Sequence, residues 1–319
     1  MKLIIQPEAG VVPIIQAIKT AKKSIDVFIF RFDRNDVEKA LEAAVQRGVV
    51  VRAIIAHTNR GGEANLRKLE QRLLAHGVLV SRSADDLLRY HAKYMIADST
   101  LHLLGFNFTK LDMDKSRSFA VSTKDSRSVQ AAVKLFEADL TRQPYTPAKS
   151  NLVVSPENSR EMLTGFIKGA KKQLAIYDAK LFDPAMVKLL RERADKGVEV
   201  RVLGAIKGKY GDIEARKLGN MRLHVRAIVR DGTKAFVGSQ SLRKDELENR
   251  REVGLIVTNP AMARGMLKVF ESDWVESGTS KDDKGKGDKG KDAKEKDPKD
   301  DDPKQKDAKA KDADAEDAA

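Results

Sequence analysis

The sequence repeats itself at a constant offset of 149 residues. Residues 17–54, AIKTAKKSIDVFIFRFDRNDVEKALEAAVQRGVVVRAI, align without a gap with residues 166–203, FIKGAKKQLAIYDAKLFDPAMVKLLRERADKGVEVRVL. Each copy reads as a basic helix, an apolar strand, a second amphipathic helix, a glycine stop and a β-branched strand. Helices that alternate with strands predict α/β units on a mostly parallel sheet. The chain is therefore expected to fold as two similar α/β halves.

Composition places the limits of these halves. The segment TRQPYTPAKSN, residues 141–151, contains two prolines and few apolar residues, which is typical of a joint between domains. We therefore predict a first half at residues 1–146 and a second at residues 147–276, each of ordinary domain size. From residue 277 the chain is rich in Lys, Asp, Gly and Ala and has almost no large apolar side chains, which predicts a disordered tail over 277–319.

The positive charge belongs to the two halves. The tail holds 12 lysines against 14 acidic residues, so the rest of the chain carries a net charge of +15. Such an excess favours a polyanionic partner, either nucleic acid or an anionic membrane surface, whereas scattered solvated lysines are the simpler explanation. The charge alone does not decide between them.

Several classes of protein are disfavoured. The chain has no cysteine, which excludes disulfides, zinc–thiolate sites and thiol nucleophiles. The N-terminal residues MKLIIQPEAG do not resemble a secretory signal, and no apolar run approaches the roughly 20 residues that span a bilayer. We expect a soluble cytoplasmic protein without a transmembrane segment, with peripheral membrane attachment left open.

A short motif occurs once in each half. YHAKYMIADSTLHLLGFNF, residues 90–108, and LHVRAIVRDGTKAFVGSQS, residues 223–241, share His-x-Lys/Arg, four residues, Asp, six residues and Gly. The matching residues are His91, Lys93, Asp98 and Gly105 in the first copy, and His224, Arg226, Asp231 and Gly238 in the second. Residues two apart on a strand face the same side. A single such motif would be an ordinary edge strand, but its duplication predicts that both histidines and both cations meet in one cleft across a pseudo-two-fold axis.

The two motifs resemble the signature of the phospholipase D superfamily, His-x-Lys-x4-Asp followed by Gly-Ser. The resemblance covers both halves, residues 1 to about 276. It implies two tandem phospholipase D-like α/β/α sandwich halves and one shared site. It also implies metal-free cleavage or exchange of a phosphodiester through a phosphohistidine intermediate, with no cofactor and no metal site.

The residue types suit that chemistry. One neutral imidazole can attack phosphorus while the other, protonated, gives a proton to the leaving oxygen. Lys93 and Arg226 would hold the non-bridging oxygens. The resemblance implies that His91 is the nucleophile and His224 the general acid, whereas the residues alone leave the order open, because His224 has the clearer carboxylate partner. Asp98, Asp231, Gly105 and Gly238 are expected to be structural, the aspartates as salt-bridge braces.

Departures from the signature make the two copies unequal. Arg226 replaces the usual lysine, and Phe106 follows Gly105 where Ser239 follows Gly238. Ser239, Ser241 and Asn107 are expected to contact substrate. Glu252, 28 residues beyond His224, is expected to accept the Nδ1 proton of His224. Because Phe119 stands at the corresponding place in the first copy, His91 is expected to use Asp112 or Asp114.

The remaining polar residues have weaker signals. His57 and Arg60 follow one strand, and Lys207 and Lys209 follow its repeat, so they either border the cleft or form ordinary polar loops. His76 and His102 lack metal-ligand spacing with another His or acid.

Three functions remain open. The first is a phospholipase D or a cardiolipin-type phosphatidyltransferase, because FVGSQSLRKDELENRREVGLIV resembles that branch. The second is a nuclease of the same superfamily, for which the charge of +15 would neutralise phosphates while 5% aromatic residues argue against sequence specificity. The third is a non-catalytic phosphate-binding module, suggested by Arg226, Phe106 and Phe119. The partner is thus a phospholipid or another phosphodiester, and the sequence does not indicate the oligomeric state.

Overall fold

The computed structural model describes residues 1–58, 63–219 and 221–278. Arg60 and the predicted tail beyond residue 278 lie outside these residues. Two sheets of eight strands each form over the described part of the chain, with helices packed against them. Within these residues no helix is both long and apolar enough to span a bilayer.

The first half contains eight strands and five helices among its described residues. They are β1 Lys2–Gln6, α1 Val12–Thr20, β2 Ser24–Ile29, α2 Asn35–Gln46, β3 Val50–Ile55, α3 Glu63–Ala75, β4 Leu79–Arg82, β5 Arg89–Tyr90, β6 Tyr94–Ala97, β7 Thr100–Leu104, α4 Lys110–Asp114, β8 Ser116–Thr123 and α5 Ser126–Thr141.

The second half repeats the pattern. Its elements are β9 Leu152–Ser155, α6 Ser159–Lys168, β10 Gln173–Leu181, α7 Pro184–Ala194, β11 Glu199–Ile206, β12 Glu214–Arg216, β13 Arg222–Leu223, β14 Arg226–Arg230, β15 Lys234–Gly238, α8 Lys244–Glu248, β16 Arg250–Val257 and α9 Pro260–Gly278.

The two sheets have matching strand orders. Sheet 1 runs β1-β8-β7-β6-β2-β3-β4 with β13 beside β8, and sheet 2 runs β12-β11-β10-β14-β15-β16-β5 with β9 beside β16. The predicted α/β class with two similar halves is confirmed, but the prediction of a mostly parallel sheet is wrong. Among the described strands, parallel pairing is limited to β2-β3-β4, β10-β11-β12 and the two short pairs β13-β8 and β5-β16. The strands that carry each motif pair as antiparallel hairpins.

Each half lends a two-residue strand to the sheet of the other half. The strand β5 pairs with β16 of the second half, and β13 pairs with β8 of the first. These exchanged strands end immediately before His91 and His224. The exchange therefore carries each motif histidine to the sheet of the opposite half.

Strand β2 shows how the repeat buries both faces of its sheet. Ile25, Val27 and Ile29 pack with α1 and α2 on the outer face, whereas Phe28 points into a second core on the other face. This alternation follows from the period of two along a strand. Strand β10 behaves alike, with Ile176 facing α6 and α7 and Tyr177 facing the second core.

The second core is common to both halves. The rings of Phe119 and Tyr177 lie 5.5 Å apart between centroids, and those of Tyr177 and Phe270 lie 5.1 Å apart. Phe119 belongs to β8, whereas Tyr177 and Phe270 belong to the second half. The two halves are thus built around one continuous apolar interior.

Candidate active site

His91 is held by groups from both halves. Its backbone N–H donates to the carbonyl oxygen of Arg251 at 2.8 Å, which continues the pairing of β5 with β16. The ring of Phe30, at the end of β2, meets the imidazole edge-on with 4.7 Å between centroids. The side chain of His91 is 13% exposed, so the ring is anchored but reachable.

Glu252 is the carboxylate that faces His91. The Nδ1 atom of His91 lies 2.9 Å from Oε2 and 3.0 Å from Oε1 of Glu252, which is fully buried. Burial raises the pKa of Glu252. The expectation that Glu252 orients His224 is therefore wrong, since the exchanged strand places His91 beside it. A carboxylate on Nδ1 fixes the tautomer with the lone pair on Nε2.

Lys93 lies against the same imidazole. Its Nζ atom is 2.6 Å from the carbonyl oxygen of His91 and 3.0 Å from Nε2. The residue is 1% exposed. Burial lowers the pKa of Lys93 to about 7, although the charge of Glu252 acts in the opposite direction. Lys93 can thus exchange its proton near neutral pH.

His224 has a different set of partners. Its Nδ1 lies 3.1 Å from the carbonyl oxygen of Gly105, and its Nε2 lies 3.5 Å from Oδ2 of Asp112. Asp112 therefore faces His224, whereas the sequence predicted it as one of two candidate partners of His91. Asp114, the other candidate for His91, forms an ion pair with Arg34 at 2.7 Å.

The hairpin turns explain the misassigned counterparts. Strands β6 and β7 are joined by two residues, Asp98 and Ser99, whereas 231–233 supply three residues between β14 and β15. Leu104 consequently pairs with Ala120 where Gly238 pairs with Gly254.

Every later position is displaced by this one residue. By register, the structural counterpart of Glu252 is Ser118 and not Phe119, and the counterpart of Ser239 is Gly105 and not Phe106. Asn107 and Ser241 are counterparts of each other, and each donates its backbone N–H to an acid five residues ahead.

Arg226 and Lys93 act on both histidines. Arg226 donates from Nε to Oγ of Ser241 at 3.1 Å and from Nη1 to the carbonyl oxygen of His224 at 2.9 Å. Burial, followed by the charges of Lys93 and Arg226, lowers the pKa of His91 well below its usual value. Burial also lowers the pKa of His224, against the opposing charge of Asp112 and with help from Arg226 and Lys93. Two histidines and two cations therefore form one electrostatic cluster.

The predicted substrate-binding residues are buried. Asn107 accepts from the backbone N–H of Arg31 at 3.1 Å and donates to Asp112 at 2.7 Å. The hydroxyl of Ser239 donates to the carbonyl oxygen of Val253 at 3.4 Å and accepts from the backbone N–H of Val253 at 3.1 Å. Ser241 is fully buried and accepts from Arg226. In the structure all three side chains bond to other protein groups.

The motif aspartates lie in turns. Asp98 and Asp231 have left-handed backbones with φ of 50° and 54°. Their carboxylates accept backbone N–H groups at residues 22–24 and 171–173, and neither forms a salt bridge with another described residue. These bonds tie each hairpin turn to the start of β2 or β10. The predicted braces thus act on the backbone.

Gly105 allows close approach of two strands. A Cβ at this position would lie 2.7 Å from the carbonyl oxygen of Phe119, and one at Gly238 would lie 2.8 Å from the Cα of Gly254. Neither place accepts a side chain without a shift.

The loop residues His57, Lys207 and Lys209 have no contact with another described residue that assigns them to the site. His57 is half-buried, with its backbone N–H donating to Oγ of Ser83 at 3.0 Å, and Lys207 and Lys209 are exposed after β11. Within the described residues no three His, Asp or Glu side chains gather as a metal site.

Sequence reasoning did not identify Phe30. Besides His91, this ring has Lys93, Arg31 and Arg89 within 5.7 to 5.8 Å of its centroid. The repeat offers a signal that could have found it, because the aligned residue at the same offset is Ala179. An aromatic residue that follows a buried strand in only one copy of the repeat indicates a role specific to that half, here the contact with His91 and Lys93.

The chain is similar to known proteins in sequence and in fold. The sequence model of a family described as cardiolipin synthase, PLD-like domain, matches residues 14–140 and 163–274. No curated protein matches the chain. The structure of polyphosphate kinase from Porphyromonas gingivalis superimposes with a TM-score of 0.72 at 20% identity over 86% of this chain, which spans 47% of that kinase chain. Phosphatidylserine synthase from Haemophilus influenzae Rd KW20 gives a TM-score of 0.68 at 11% identity over 86% of each chain.

These likenesses define the class. The fold is that of a phospholipase D-like protein built from two halves. The chain belongs to the cardiolipin synthase PLD-like domain family, whose match covers most of both halves.

Proposed function

We propose that this protein cleaves or exchanges the phosphodiester bond of a phospholipid through a phosphohistidine, without a metal ion. The contact between His91 Nδ1 and the buried Glu252 at 2.9 Å carries this proposal, because it leaves Nε2 as the nucleophilic nitrogen. The charges of Lys93 and Arg226 on both imidazoles supply the second support.

The first step forms the intermediate. The lone pair on Nε2 of neutral His91 attacks phosphorus, and an N–P bond forms as the P–O bond to the leaving alcohol breaks. The electron pair of that bond goes to the leaving oxygen, which takes a proton from Nε2 of His224. Lys93 and Arg226 hold the non-bridging oxygens and the charge that develops on them.

The second step reverses the roles. Neutral His224 removes a proton from water or from an acceptor alcohol, whose oxygen attacks phosphorus. The N–P bond breaks, and its electron pair returns to Nε2 of His91. Water gives hydrolysis, and an alcohol gives transfer. The imidazole of His224 gives the proton in the first step and regains one in the second, so the proposed cycle needs no metal or cofactor.

A lipid substrate is supported by the family description, cardiolipin synthase, and by the likeness of the fold to phosphatidylserine synthase. A nuclease is the second candidate, favoured by the net charge of +15 on the chain before the tail. The non-catalytic alternative is less well supported, because both histidines are kept and His91 has a carboxylate partner that phosphate binding does not require. We place the protein in the cytoplasm, with peripheral contact to an anionic membrane surface.

One incubation tests these candidates. The purified protein is mixed in EDTA with phospholipid vesicles and a primary alcohol, and in parallel with plasmid and single-stranded DNA. We expect a phosphatidyl alcohol to form in EDTA and to be absent with H91A and H224A. Nicked DNA without lipid turnover would show that the protein is a nuclease. Loss of activity in EDTA would refute metal independence. Full activity of H224A would refute a site shared by the two halves.

A further inference from the structure

Asp112 is a buried carboxylate beside the proposed general acid. It lies on α4, is 3% exposed, and places Oδ2 at 3.5 Å from Nε2 of His224. The helix begins at a capped position, since Oγ of Thr109 accepts the backbone N–H of Asp112 at 3.1 Å. The location of the carboxylate is thus fixed by local backbone structure.

The carboxylate of Asp112 is also fixed in orientation. Oδ2 accepts from the backbone N–H of Asn107 at 3.0 Å and from its Nδ2 at 2.7 Å. Oδ1 accepts from Nη1 of Arg222 at 2.6 Å. Burial acts to raise its pKa, but His224, Asn107 and Arg222 together lower the pKa of Asp112 to about 2. The group therefore stays ionised over the working pH range.

The hydrogen bonds of His224 determine which nitrogen faces Asp112. The main-chain carbonyl of Gly105 can only accept, so Nδ1 of His224 carries a hydrogen. The proton that a general acid delivers must then reside on Nε2, the atom that faces Asp112. A separation of 3.5 Å is longer than an ordinary hydrogen bond, so the carboxylate attracts this proton without locking it.

The other charges around His224 disfavour its protonation. Arg226 from β14, Lys93 from the link before β6 and Arg222 from β13 each lower its pKa, in addition to burial. Asp112 from α4 is the acidic group that opposes them. Without this carboxylate, His224 would face three cations.

We propose that Asp112 is a positioning residue that favours the protonated form of His224 and holds its proton on Nε2 for the leaving oxygen. This inference rests on the proposed function, in which His224 is the general acid. Asp112 touches no substrate and acts through the imidazole. Asp112, which the sequence predicted as a candidate partner of His91, is thereby assigned to His224 in the second half.

The second half provides a matched control. By register the counterpart of Asp112 is Glu246, whose Oε2 accepts the backbone N–H of Ser241 at 2.6 Å. Glu246 is 3% exposed and faces Arg250 and Arg243 at 3.5 and 3.7 Å. Glu246 holds the turn at Ser241 as Asp112 holds the turn at Asn107, but it does not face His224. E246Q therefore reports the cost of removing a buried carboxylate from this position.

The first test varies the leaving group. Rates of the full-length wild type, D112N and E246Q are measured on two diesters, one losing a primary alcohol, which needs a proton, and one losing 4-nitrophenolate, which does not. We expect D112N to lower kcat for the alcohol by about 10- to 100-fold, part of the usual contribution of a general acid, and to change the 4-nitrophenyl rate by less than about threefold. E246Q should affect both substrates by one factor.

Equal losses on both substrates in D112N would reduce Asp112 to a structural role, and no loss would remove it from the mechanism. A selective loss in E246Q as well would also overturn the assignment. If wild type turns over neither substrate, the proposed function fails instead.

The second test does not depend on turnover. The imidazole of His224 is titrated by NMR in H91N protein, with and without D112N, and thermal unfolding checks that both variants fold. We expect the pKa of His224 to fall when D112N is added. An unchanged or higher pKa in a folded variant would refute the proposal.

Discussion

At the scale of single residues, Glu252 sets the chemistry of His91 and does so from the opposite half. It is fully buried, and burial raises its pKa, so its ionised form is costly in the folded protein. A folded pKa above the unfolded one means that stability is lost as pH rises through that range. The ionised Glu252 therefore lowers the stability of the folded protein.

We predict that E252Q separates activity from stability. The amide still accepts from Nδ1 of His91 but no longer stabilises the ring as it gains positive character, so kcat should fall by about 10- to 100-fold. Because an unfavourable buried charge is removed, thermal unfolding at pH 8 should occur at the same or a higher temperature. Activity assays and calorimetry measure the two effects, and a variant that is both active and destabilised would contradict this account.

Lys93 makes a pH prediction. With its pKa lowered to about 7 by burial, the ammonium form dominates below that pH and is lost above it. Binding of sulfate, whose charge is constant there, should therefore weaken above pH 7 by up to about tenfold per pH unit. K93R keeps its charge, so it should bind sulfate independently of pH between 6 and 9. Calorimetric titration decides, and equal pH profiles would exclude Lys93 as the titrating group.

At the scale of elements, the sequence predicted much of the fold. The repeat at a constant offset and the alternation of helices with strands gave the α/β class, and both motifs fall where the structure gathers His91, Lys93, His224 and Arg226. The antiparallel hairpins were missed because short apolar runs do not reveal strand direction.

The partners of the histidines were missed for two further reasons. Glu252 was matched to Phe119 by counting along the chain, but the second turn contains one more residue, which changes the register. The exchange of β5 and β13 is a long-range pairing of two-residue strands, for which a sequence has no periodic signal.

Gly105 tests the packing of the hairpin. In G105A the new Cβ would lie 2.7 Å from the carbonyl oxygen of Phe119, so the strands must separate and the carbonyl that holds His224 must move. We expect a loss of about 1–3 kcal/mol in stability together with reduced activity. G165A is the control, because a Cβ on Gly165 in α6 meets no atom within 4 Å, and helix propensity should leave stability unchanged or slightly higher. Denaturant unfolding of both variants measures this, and equal stabilities would refute the close approach.

At the scale of the whole molecule, the two halves depend on each other. Phe119 packs on Tyr177 in the shared core, and each sheet is completed by a strand from the other half. The predicted boundary near residue 146 separates the two copies of the repeat, but the apolar core is shared by both halves.

We predict that neither fragment, 1–146 or 147–278, folds alone as a stable monomer. Each would expose its face of the common core and lose a strand, so circular dichroism should show broad unfolding or none. Mixing the two should restore cooperative unfolding and the activity of the intact chain. A fragment that unfolds cooperatively as a monomer would show that its half is an independent domain.

The exchanged strands also limit how substrate reaches the site. The backbone N–H groups of His91 and His224 donate to Arg251 and Arg117 in the opposite sheets. A hinge motion that spread the halves would break both bonds and pull each imidazole away from its orienting group. If the proposed reaction takes place, we therefore expect substrate to enter and product to leave through side-chain movements, while the pairing of each exchanged strand with the opposite sheet stays intact.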